Sequence, residues 1–87
     1  MVHPELTAIR ARIDALDDEL VLLLARRAAA AKAAMDLKAA AGQPVFDAAR
    51  EAEMLTTVRA KARALQLDED RVAEVFRAVV ALARGDR

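Results

Sequence analysis

A chain of 87 residues is one domain, near the lower limit at which a single-chain core is stable without a staple, and it contains no cysteine to supply a disulfide. Lys plus Arg equals Asp plus Glu at 14 each, which leaves no net field to argue for nucleic acid or an acidic membrane surface. The opening MVHPEL has neither a basic n-region nor an apolar h-region, and no apolar run reaches the ~20 residues of a bilayer span, so a cytoplasmic, soluble protein is expected.

Alanine tracts at residues 28–31 and 39–41, two glycines, two prolines and only Phe46 and Phe76 as aromatics make an all-helical composition. Pro4 suits a first helical turn, and nothing interrupts the pattern before Gly42-Gln43-Pro44, so a first helix is predicted over residues 5–41. Residues 42–46 read as a loop and Asp47 as the N-cap of a second helix with Met54, Leu55, Val58, Ala62 and Leu65 on one face. Asp68 caps a third, with Val72, Val75, Phe76, Val79, Val80 and Ala83 as its apolar face and Gly85 placed to end it. The first helix would be roughly 55 Å long at its rise per residue, too long for two short helices to cover, so a second copy of the chain is expected.

Leu6, Ile9, Ile13, Leu16, Leu20 and Leu23 follow one another at spacings of three and four, the period of a buried helical stripe, and the next residue due on that seam is Arg27. A guanidinium in that position needs an anionic partner inside the packing. Lys38 lies eleven residues on, about three turns, and shares the face of Arg27. Arg10 lies seventeen residues upstream of Arg27, roughly 25 Å along the axis, and cannot meet it within one chain. If two copies of the helix pack antiparallel about a two-fold near Leu20, Arg10 of one is carried between Arg27 and Lys38 of the other. Three cations so gathered suit a small polyanion, whereas Arg26 should simply be solvated.

Asp47, Arg50 and Glu51 form a second cluster at the start of the second helix. The two acids are ordinary helix-start chemistry, but a cation there opposes the helix dipole, so Arg50 is expected to have a tertiary or ligand partner. His3 stands alone without a second ligand and reads as solvated, and no metal or cofactor is expected.

These residues together resemble the all-helical class of chorismate mutase. The likeness covers almost the whole chain, through Ile9-Arg10-Ala-Arg-Ile13-Asp-Ala-Leu16-Asp17, Leu24-Ala-Arg-Arg27, Leu37-Lys38, Pro44-Val45-Phe46-Asp47, and Arg50-Glu51 with Met54-Leu55. It implies an intertwined homodimer of three-helix chains with two equivalent sites, converting chorismate to prephenate in phenylalanine and tyrosine biosynthesis. On that resemblance Arg10 from the partner chain and Arg27 bind the substrate's two carboxylates, and Lys38 reaches the ether oxygen and a carboxylate. Asp47 and Glu51 meet the ring hydroxyl, and Arg50 supports the pocket.

The family usually offers a Ser near the end of the third helix and, four residues later, a Gln or Glu that donates to the ether oxygen. Here those positions hold Ala83 and Arg87. Arg87 could place a permanent cation at that oxygen, or the C-terminus could await an activating partner enzyme that orders it. Three other readings share the fold. An isochorismate pyruvate lyase tends to be apolar where Glu51 stands, an aminodeoxychorismate mutase would accept a carboxylate there equally well, and a silent helical dimer would dock on another enzyme of the shikimate pathway. A plain coiled-coil module leaves Arg27 at its seam without a reason.

Overall fold

The computed structural model describes residues 3–85, which form three helices in the order α1 (Pro4–Ala40), α2 (Ala48–Ala64) and α3 (Glu69–Arg84), with no strand among them. The helix ends follow local chemistry. His3, expected to be merely solvated, caps α1, its Nδ1 accepting the backbone N–H of Glu5 at 3.2 Å. Each end of α1 lies one residue earlier than the sequence reading placed it. At its C-terminus Gly42 takes φ +70°, a left-handed conformation open to glycine without cost. The turn lets Gln43 N–H bond to the Lys38 carbonyl at 2.9 Å, satisfying a helix end and sending the chain back.

Asp47 Oδ1 accepts the Arg50 backbone N–H at 3.0 Å and so starts α2. Asp68 Oδ1 does the same for α3, accepting from Asp70 N–H at 3.0 Å and Arg71 N–H at 3.2 Å. Gly85, at φ +76°, ends α3 in the left-handed region. Between α2 and α3 the chain turns through Gln66 at φ +60°.

The third helix packs against both α1 and α2. The α2–α3 corner is tied by charge: Arg59 Nη1 reaches Asp70 at 2.7 Å and Glu69 at 3.4 Å, and Arg63 Nη1 reaches Glu69 at 3.0 Å. The Arg59 hydrogen bond and its charge hold the Asp70 carboxyl below its ordinary value, with Arg77 adding to the effect against partial desolvation. The Arg59 guanidinium is correspondingly pushed up, chiefly by the hydrogen bond to Asp70.

One chain of this shape has almost no interior. Its extents are 61 × 24 × 21 Å, and the only buried apolar side chains among the described residues are Ala62 and Ala73. The α1 seam is open, with Leu6 42% and Leu20 58% exposed. Two residues predicted to face inward do not: Leu65, the C-cap of α2, is 72% exposed, and Val75 is 58% exposed. Leu65 lies beyond the last helical residue of α2, where the chain turns toward α3. Val75 borders an apolar groove of about 630 Å³ between α1 and α3, lined also by Leu20, Leu23, Leu24 and Val79. Among the described residues no helix is long and apolar enough to cross a membrane.

Candidate active site

Where α1 ends, the loop returns and α2 begins, the side chains of Arg27, Lys38, Asp47, Arg50 and Glu51 line one cavity of about 180 Å³. Two features of the backbone bring them together. The straight run of α1 sets Arg27 and Lys38 on one face, both half-buried. The turn at Gly42 then reverses the chain so that the start of α2 stands across the cavity from that face, and the Asp47 cap fixes its first residues in register.

Cations dominate the lining. Arg27, Lys38, Arg50 and Arg84 face Asp47 and Glu51, a net charge of plus two in a space walled elsewhere by Met35, Met54 and Val80. Neither Arg27 nor Lys38 forms an ion pair with any carboxylate among the described residues, so both remain available to an anionic ligand. Arg50 differs from expectation. Its partner is local, Glu53 one turn on at 3.2 Å, in a pair whose side chains are 67% and 70% exposed, so the charge opposing the helix dipole is relieved on the helix surface. Its side chain still borders the cavity.

Arg10 is exposed and does not border this cavity, in keeping with the distance that separates it from Arg27 along the helix. Arg87 lies outside the described residues. Ala83 lines the cavity and brings no hydrogen-bond donor to it.

Arg84 is the residue that sequence reasoning missed. Its Nη2 donates to Glu51 Oε2 at 2.9 Å, and the two side chains are 29% and 31% exposed. The same guanidinium lies 4.5 Å from the centre of the Phe46 ring, within range of a cation–π contact. The last turn of α3 is thereby joined to the loop and to the first turn of α2. A cation in a last helical turn suits the dipole and draws no notice in a sequence. The available signal was Glu51, a carboxylate in a predicted polar cluster with no basic residue three or four positions C-terminal to it.

The family model for chorismate mutase type II matches residues 9–85, nearly the whole chain. The chain belongs to that family. It is also 38% identical over 76 residues to a protein named T-protein from Enterobacter agglomerans, a match that takes in 87% of this chain and 20% of that protein. The chain therefore spans about a fifth of the length of this curated relative. No solved structure matches it significantly. The chorismate mutase type II match runs through every element that lines the cavity: α1 from Arg27 to Lys38, the loop, the start of α2 and the end of α3.

Proposed function

We propose that the chain is a chorismate mutase, a single domain converting chorismate to prephenate in the cytoplasm. The observation that carries this reading is the gathering of Arg27, Lys38, Asp47, Arg50, Glu51 and Arg84 around one cavity with a net charge of plus two, in a chain that belongs to the chorismate mutase type II family. Chorismate is a dianion, and its conversion is an intramolecular rearrangement in which a carbon–oxygen bond breaks as a carbon–carbon bond forms. No proton has to move. The site needs no general base or nucleophile, only groups that hold the enolpyruvyl side chain over the ring and stabilise charge building on the ether oxygen.

In this reading Arg27 binds a carboxylate, and Lys38 binds the ether oxygen together with a carboxylate. Asp47 and Glu51 take the ring hydroxyl, and Arg50 supports them. Glu51 favours mutase over pyruvate lyase, because it gives the hydroxyl an acceptor on the α2 wall. Ala83 leaves Lys38 as the donor to the ether oxygen from within the described residues. Arg87 is proposed as a second cation there, unless an activating partner enzyme takes hold of the C-terminus.

The second carboxylate is assigned to Arg10 of a second copy in an intertwined homodimer. Two features support the pairing. The α1 seam from Leu6 to Leu23 and the groove beside it hold apolar surface that a single chain leaves in water. An antiparallel copy of α1 laid along that seam buries it and brings Arg10 to the level of Arg27 and Lys38. The cavity of about 180 Å³ is small beside the ~300 Å³ and more of most ligand sites, and a wall from the second copy would enlarge and close it.

The test is direct. Purified protein is incubated with chorismate, and the product is identified by nuclear magnetic resonance. Prephenate formed in a catalytic, protein-dependent manner is the expected result. Release of pyruvate would assign the chain to the lyases instead, and unchanged chorismate would overturn the enzymatic reading.

A further inference from the structure

A carboxylate that reads a ring hydroxyl would also welcome an ammonium, and Glu51 by itself does not separate chorismate from its 4-amino analogue. In the structure Glu51 is not by itself. Arg84 donates Nη2 to its Oε2 at 2.9 Å, with both side chains about two-thirds withdrawn from solvent. The guanidinium also lies over the Phe46 ring, 4.5 Å from the centroid, and α3 is capped at the next residue by the left-handed Gly85. Three elements therefore fix this cation at the cavity wall.

We propose that Arg84 is a specificity-determining residue, pairing with Glu51 so that the pocket takes a substrate bearing a neutral ring hydroxyl and turns away one bearing an ammonium. The inference rests on the mutase reading above. The ion pair leaves Oε1 of Glu51 free to accept from a hydroxyl, since a carboxylate has two oxygens and Arg84 engages one of them. It also opposes the charge of that carboxylate with a fixed positive one. An ammonium placed against Oε1 would face the guanidinium a few ångströms away, and at the effective dielectric of a partly buried site such a repulsion amounts to a tenfold or greater loss of affinity. Arginine suits the task because its charge persists at every working pH and its planar head stacks on an aromatic ring.

Remaining within one fold, the pair also explains how a pocket so rich in cations gains selectivity. Arg27 and Lys38 attract any dianion of this shape, and they do not sense the substituent on the ring. Discrimination has to come from the end of the cavity where Asp47 and Glu51 take the ring hydroxyl, and there Arg84 sets repulsion of the wrong group beside attraction of the right one.

The experiment compares kcat/KM for chorismate and for 4-amino-4-deoxychorismate, at a pH where the amine is protonated, in the wild type, Arg84→Met and Arg84→Lys. Methionine keeps an unbranched stem over Phe46 and removes the charge, and circular dichroism confirms that each variant folds. The expected result is that Arg84→Met shifts the ratio of the two values toward the amino substrate by about tenfold or more, mainly through KM, while Arg84→Lys holds the ratio near that of the wild type. A purely structural role would lower both values together. An unchanged ratio in a folded, active Arg84→Met variant would overturn the inference and leave the mutase reading standing. A wild type without activity on chorismate would remove that reading first, and the inference with it.

Discussion

Arg27 and Lys38 stand about three turns apart on one face of α1 and line the same cavity, half-buried and without a carboxylate partner among the described residues. Two unpaired cations on a rigid helix are preorganised: their positions are set before any ligand arrives, and no reorganisation is needed when charge develops on one.

Arg27→Ala and Lys38→Ala should therefore each lower kcat/KM for chorismate by a factor of 100 or more, since a fixed donor of this type commonly contributes about 3 kcal/mol to a barrier. Arg26, the exposed neighbour of Arg27, is the control. Arg26→Ala should be nearly neutral. Steady-state kinetics on the three variants decides, and equal losses at 26 and 27 would contradict the placement of the cavity.

Asp47 carries two duties that different substitutions separate. Its Oδ1 caps α2, so Asp47→Ala should cost roughly 1 kcal/mol of stability as well as activity. Asp47→Asn keeps a capping oxygen and removes the charge facing the cavity. Thermal unfolding should find the Asn variant close to wild type, while kinetics finds KM raised in both.

The second copy of α1 makes a prediction about stability. Leu16 is 56% exposed in a single chain, so a monomer would lose little on Leu16→Asp. In the proposed dimer the same change buries a charge in the seam and should destabilise it by about 2 kcal/mol or more. The wild type should sediment as a dimer at micromolar concentration, with an unfolding midpoint that rises with protein concentration. A folded wild-type monomer would contradict the shared site.

The α2–α3 corner should make stability depend on acid. Arg59, with help from Arg77, holds Asp70 below its ordinary pKa, so the contribution of this carboxylate is fully present above that ordinary value and is lost as pH falls through the depressed one. Asp70→Asn should lower Tm slightly at neutral pH, because the side chain is 80% exposed and water screens it. The difference from wild type should shrink in added salt and vanish in acid.

The parts of this molecule that were legible in its sequence are those decided by neighbouring residues. Asp47, Asp68 and Gly85 occupy the helix ends they were predicted to occupy, because a cap is made within a few residues of itself. The seam placed Arg27 and Lys38 on one face by periodicity alone. Leu65 and Val75 were misjudged for the opposite reason: whether an apolar face is covered depends on where a distant helix docks and on how far the helix extends. Arg84 was missed because its meaning arises only when the Gly42 turn brings Phe46 and Glu51 against the end of α3.

The most direct test of a site shared between two chains mixes two damaged proteins. Arg10→Ala and Lys38→Ala homodimers should each be nearly inactive. Unfolded together and refolded at equal concentration, they should recover about a quarter of wild-type activity, since half the dimers are mixed and each mixed dimer rebuilds one of its two sites from the undamaged residues. No recovery in verified mixed dimers would place Arg10 outside the site and contradict the account.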